Sequence, residues 1–266
     1  MSSPDLEAAI ASVGEVGVHR TFYQWDDLDR ELAVIGQALA AGRLPWTSFK
    51  PPLDTNAPWA DVASGRFDAD IVARAEGYDR VGGPLLVTFH HEPEGDDAGS
   101  VAEWAAAWTR VHDVTRAARP LERVAMAPIL GEWVFNPTNA RGDPAPFLTD
   151  EVLDRADVLG FDLYQNASGK SFGTRMESVL HWLDSRGASH PVGIGETGCS
   201  ESFGPPGAAA WWRDAWAWMA ANTDRVGVVS YFNSQRNSRA DWRLDENDAK
   251  RRAFRESLAS DRACRL

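Results

Sequence analysis

Two short segments of the chain carry residues able to do chemistry. One reads Thr88-Phe-His-His-Glu-Pro-Glu94, the other Pro191-Val-Gly-Ile-Gly-Glu-Thr-Gly198. Each is an apolar run that ends in a carboxylate, Glu92 in the first and Glu196 in the second. Paired carboxyl groups can divide the work of cleaving a glycosidic bond. One protonates the leaving oxygen while the other attacks the anomeric carbon or activates water. Glu94 is a local rival to Glu92, and Glu92 is preferred because it directly follows a histidine. His90 and His91 invite a metal-hydrolase reading. Neighbouring strand residues point to opposite faces, so the pair is not expected to hold one ion, and no metal is assigned.

The two glutamates lie 104 positions apart (196 − 92), so only a fold that gathers strand ends onto one face can bring them to one substrate. Short β-rich apolar runs occur at 17–25, 44–50, 84–90, 124–130, 157–164, 191–196 and 227–232. They read as parallel strands covered on both faces. Helical periodicity occupies 4–13, 27–41, 101–118, 174–186, 208–221 and 247–259. Alternation of this kind over a whole chain implies a parallel sheet. Polar and aromatic residues follow the runs at their C-terminal ends: Glu92, Trp133 with Asn136, Tyr164, Glu196 and Asn233. A (β/α) barrel puts its active site at those ends. An open doubly wound sheet is the competitor, but no Gly-rich phosphate loop follows any run. The expected fold is therefore a (β/α)8 barrel filling 1–266 as a single domain. Only seven runs are found, and the one that should precede the helix at 4–13 is absent. An open seam would expose two strand edges, so the reading favours a natural start upstream. A signal peptide there would make the protein a secreted one.

Composition narrows the partners. The 27 Lys and Arg against 39 Asp and Glu give a formal charge of −12, which disfavours nucleic acid and anionic membranes. No apolar run approaches the ~20 residues that span a bilayer. Twelve Trp accompany only four Tyr, and an indole serves both core packing and stacking on sugar rings. Trp211, Trp212, Trp216 and Trp218 on one helical stretch, and Trp104 with Trp108 at i and i+4, read as packing. Cys199 and Cys264 read as free thiols, and the chain as a monomer.

Several segments, in order and spacing along most of the chain, resemble glycoside hydrolase family 26. That family belongs to a clan of barrel enzymes with catalytic glutamates after the fourth and seventh strands. Ala63-Ser-Gly-Arg-Phe-Asp68, His90-His-Glu92, the stretch 107–111, Val158-Leu-Gly-Phe-Asp-Leu-Tyr164, the run from Pro191 to Gly198, Tyr231-Phe-Asn233 and Asp241-Trp-Arg243 carry the resemblance. It implies that Glu92 is the acid/base and Glu196 the nucleophile of a retaining enzyme that needs no cofactor. His91 would orient Glu92 or touch the sugar, and Tyr164 would donate a hydrogen bond to Glu196. Trp133 and Trp242 would be sugar platforms, and Asn233 and Arg243 cleft residues. The implied substrate is a β-linked polysaccharide, β-mannan first. The chain departs from the family after Glu92, where Pro93-Glu-Gly95 and then Asp96 replace the usual Met-Asn-Gly followed by Trp. That loop shapes the leaving-group side, so mixed-linkage glucan and β-1,3-xylan stay open. The altered loop and the missing strand also leave a second reading, a carbohydrate-binding barrel without turnover.

Overall fold

The computed structural model describes every residue except Ala140, Arg141, Ala167, Ser168, Asn237, Arg239 and Arg265. In chain order the elements are α1 (Leu6–Val13), β1 (Val18–Tyr23), α2 (Leu28–Ala40), β2 (Leu44–Phe49), α3 (Pro58–Ala63), α4 (Asp68–Val81), β3 (Leu85–Phe89) and α5 (Val101–Ala118). They continue as β4 (Val124–Met126), β5 (Ile129–Gly131), α6 (Asp150–Arg155), β6 (Leu159–Gln165), α7 (Phe172–Ser185), β7 (Val192–Cys199), α8 (Gly204–Ala221), β8 (Val226–Tyr231) and α9 (Asp248–Leu258). The strands form two four-stranded sheets, in the orders β1-β2-β3-β4 and β5-β6-β7-β8. No described helix is long and apolar enough to cross a membrane.

The chain divides into two compact units, one of residues 21–160 and the other of residues 1–20 with 161–266. In the 21–160 unit, β2 pairs in parallel with β3, Trp46 opposite Leu86 and Phe49 opposite Phe89. β3 pairs in parallel with β4, and all five of its residues are buried, as expected of a strand covered on both faces. The single run expected at 124–130 is two strands, β4 and β5. Pro128 lies between them with no N–H to give the ladder, while the Ala127 N–H still reaches the Val87 carbonyl at 2.9 Å. Sequence periodicity missed α3, α4 and α6. A buried cluster ties two of this unit's helices to its sheet: Glu31 of α2 accepts from Thr47 of β2 (2.9 Å), from Tyr78 of α4 (2.7 Å) and from Arg74 of α4.

In the other unit, all eight residues of β7 are buried and β7 pairs in parallel with β8. α8 and α9 pack around Trp212, whose ring lies 5.0 Å from Phe254 and whose Nε1 donates to Ser257 at 2.9 Å. Trp211 and Trp212 thus fill the core, as Trp104 and Trp108 do in theirs, while Trp216 and Trp218 are half-buried. Met1 and Ser2, ahead of α1, pair with neighbouring backbone: Ser2 bridges in parallel to Phe232 beyond β8. The Ser2 N–H donates to Tyr231 O (2.8 Å), and the Asn233 N–H to Ser2 O (2.7 Å). On the other side the Arg20 N–H donates to Met1 O (3.0 Å). Two residues therefore satisfy backbone groups that an empty seam would leave unpaired.

Candidate active site

The first carboxylate segment turns sharply where β3 ends. His90 and Glu92 both take left-handed backbone, φ +46° and +50°, which non-glycine residues rarely adopt and which costs energy at each. Surrounding bonds hold the turn. The Glu92 N–H donates to Ile129 O at 2.9 Å, and the Gly95 N–H to Glu92 O at 3.2 Å. The His90 ring is buried. Its Nδ1 accepts from Trp59 Nε1–H at 2.6 Å, so Nε2 carries the proton and donates to Asp96. Burial pushes the His90 pKa down. Asp96 also accepts from Lys50 Nζ at 2.6 Å, and the His90 bond foremost holds its carboxyl well below the usual range. The pair His90 and His91 is thus split between tasks: His91 instead faces Phe22, ring centroids 5.1 Å apart.

Glu94 behaves unlike a surface acid. One carboxyl oxygen accepts the Gly131 N–H, and the other is buried without a hydrogen-bond partner among the described residues. Burial pushes its pKa up to about 7. The approach requires glycine at 131, where a Cβ would sit 2.6 Å from both the Glu94 carboxyl and the Trp133 indole nitrogen. Trp133 is partly exposed in the short helical turn after β5.

Glu196 lies within β7 at 6% exposure. Register with β8 slips beside it: Ile194 faces Val229 and Thr197 faces Tyr231, three steps on β7 against two on β8. The extra residue is a bulge, a device that re-aims a side chain next to a site. Tyr164 of β6 donates its hydroxyl to Glu196 Oε2. Hydrogen bonding to the ionised carboxylate favours that form. Trp242 packs on Tyr164 with ring centroids 4.6 Å apart and planes tilted by 40°, and lies against Gly198, where a Cβ would meet its ring at 3.3 Å. Its Nε1 donates to Ser238 at 2.5 Å. At 4% exposure, Trp242 walls Tyr164 rather than offering the open platform expected of it.

Glu196, Tyr164 and Trp242 are therefore brought together, and Glu92, His91 and Trp133 belong to the 21–160 unit. Asn233 and Arg243 make no hydrogen bond to Glu196. Asn233 accepts the Leu244 N–H at 2.8 Å and donates to Ser3 at 3.4 Å. Arg243 is held by Asp241 (2.6 Å) and Glu246 (3.0 Å). With Ser3, Ser12, Arg236 and Asp245 they line a cavity of about 290 Å³, whose wall also includes Ala9, Val13 and Leu244. Sequence reasoning missed Asp96 and Lys250. The signal for Lys250 was a cation on the stripe that α9 shares with Ala253, Phe254 and Ser257, all buried.

No family profile matches the chain, and no curated protein sequence matches it. Solved structures do. The chain is similar to structures of fungal β-1,4-galactanases at 14% identity and a TM-score of 0.69, covering 94% of this chain and 90% of that one. It is similar to a GH26-CBM35 β-(1,4)-mannanase of Podospora anserina at 12% identity and a TM-score of 0.60, covering 99% of this chain and spanning 61% of that protein's length. An endo-β-1,3-glucanase of GH128 subgroup II from Sorangium cellulosum is similar at 17% identity and a TM-score of 0.60, with 94% of both chains covered. Likeness at these identities shows the fold, the (β/α)8 barrel expected from the sequence.

Proposed function

We propose that the chain is a retaining glycoside hydrolase acting on β-linked polysaccharide, with β-mannan as the first substrate to try. The observation that carries the reading is the bulged strand end at Glu196, with the Tyr164 hydroxyl donated to its carboxylate. It is supported by a second glutamate, Glu92, set on a strained turn past β3. The solved structures of like fold that are named as a galactanase, a mannanase and a glucanase point the same way.

In this reading Glu196 attacks the anomeric carbon as Glu92 protonates the departing oxygen. Glu92 then takes a proton from water as that water frees the sugar from Glu196, so the net proton count is unchanged. Tyr164 keeps Glu196 ionised and aimed. His91 and Trp133 belong to the leaving-group side, whose loop is rebuilt around Pro93, Glu94 and Asp96.

The test is new reducing-end release from β-mannan, mixed-linkage glucan and β-1,3-xylan, with the first-formed anomer read by proton NMR. Wild type is run beside Glu196→Ala, with melting curves for both. Release of the β-anomer first, lost by at least about 10³-fold in the variant, establishes the hydrolase and its substrate class. A folded wild type that binds oligosaccharides yet cleaves none would replace the enzyme with a sugar-binding barrel.

A further inference from the structure

Lys250 is a buried charge that the mechanism leaves unused. It lies on α9 at 1% exposure. An ammonium removed from water needs partners, and burial pushes its pKa below the ordinary lysine value. No carboxylate of the described residues forms an ion pair with it: Asp241, Glu201 and Asp245 act only at a distance, as does the Cys199 thiol. Its Nζ donates instead to two backbone carbonyls, Cys199 O at 3.0 Å and Trp242 O at 3.2 Å.

Those carbonyls belong to the two segments that frame Glu196. Cys199 ends β7, three residues past Glu196. Trp242 sits in the long connection from β8 to α9, which has no helix or strand among its described residues. A connection of that length is held by specific contacts or serves a site. Here the Tyr231 hydroxyl adds a second donor to Trp242 O at 2.7 Å. From Trp242 the contacts pass to Tyr164 by a tilted ring contact and from Tyr164 to Glu196 by a hydrogen bond.

We propose that Lys250 is a positioning residue for Glu196, closing a ring that runs from Glu196 through Tyr164, Trp242, Lys250 and Cys199 and back along β7. The role rests on the glycosidase reading. An apolar side chain at 250 would take the Lys250 donor from Cys199 O and leave Trp242 O with the Tyr231 hydroxyl alone. Trp242 would then drift from β7, and Tyr164 with it, loosening the bond that keeps Glu196 ionised.

The experiment compares pH profiles of kcat/KM for wild type, Lys250→Met, Tyr164→Phe and the double variant, on the best polymer of the panel. Lys250→Met is expected to lower kcat about tenfold with KM within about twofold. It should move the acid limb upward by about 0.5–1 pH unit, because the nucleophile loses its donor. Tyr164→Phe moves the limb the same way, and adding Lys250→Met to it moves the limb by less than about 0.3 unit more, the coupling expected when one acts through the other. Tyr231→Phe removes a donor to the same carbonyl without touching the charge. It gives a smaller shift in the same direction and answers the question if Lys250→Met fails to fold. Wild-type limbs in both folded variants, or shifts that simply add, would overturn the positioning role alone. A wild type inactive on every glycan overturns the glycosidase reading and this role with it.

Discussion

Glu196 and Glu92 carry one functional group in two settings. Glu196 is buried and receives a phenol proton donor; Glu92 is partly exposed on a turn held by backbone bonds. An acid that only protonates the leaving oxygen matters less when the leaving group departs unaided. Glu92→Gln should therefore cost about 10²–10⁴-fold on a polymer and far less on a dinitrophenyl glycoside of the same sugar, whereas Glu196→Gln should lose both. Equal losses on the two substrates for Glu92→Gln would move the acid role to another group, Glu94 first. Glu94 makes its own prediction through stability. Its folded pKa of about 7 exceeds the ordinary 4.5, so the folded chain binds more protons than the unfolded one between those values. Stability from this group is present below about pH 4.5 and lost as pH rises through 7. Glu94→Gln keeps an oxygen for the Gly131 N–H and does not titrate. Its Tm should gain on wild type by about 6 °C between pH 4.5 and 8, on the order of 2 kcal/mol. A difference that stays flat over that range would mean the carboxyl is not buried as described.

At the scale of elements, what was legible in the sequence was periodic. The apolar run ending at Glu196 became β7, and the stripe of 101–118 became α5 (Val101–Ala118), with a Ser100–Glu103 capping box at its start. The helix α4 was not legible, because its inward face carries Arg74, Gly77 and Tyr78 beside Ile71 and Ala75, and a charge on the buried face erases the apolar pattern. The closure at Met1 and Ser2 was hidden for another reason: two residues are too few to show any period, and only their backbone partners reveal the role. Of the site, the strand-end residue Tyr164 was readable beside Glu196 and is bonded to it, since strand ends are where barrels place chemistry. Asn233 is bound to Leu244 and Ser3, and Arg243 to Asp241 and Glu246, a matter of side-chain partners that spacing does not encode. The charge that hid α4 is also its anchor. Arg74 pairs with Glu31 at 4% and 0% exposure and lies 4.1 Å over the Phe49 ring. Arg74→Met leaves a buried carboxylate without its cation and should destabilise by about 3–5 kcal/mol, while replacing both partners with apolar residues should cost much less. Urea unfolding of the two variants separates these outcomes; equal losses would make the residues' bulk, and not the pairing, the anchor.

Over the whole molecule the charge of −12 acts on an approaching polymer before any residue touches it. A polymer bearing carboxylates approaches a like-signed field and is repelled, and a neutral polymer feels nothing comparable. The field of exposed acids reaches about 30 Å at 10 mM salt and a few ångströms at 1 M. A neutral β-glycan and its carboxymethyl derivative, digested side by side at these two salt concentrations, should therefore respond differently. The kcat/KM on the derivative is expected to rise by about tenfold with added salt, mostly through KM, because repulsion acts on encounter. On the neutral polymer it should change by less than about twofold, which also controls for salt effects on the fold. Equal salt slopes would mean that the local surface met by the polymer is not acidic, and the distinction would then lie with individual residues such as Arg236, which lines the cavity beside Arg243.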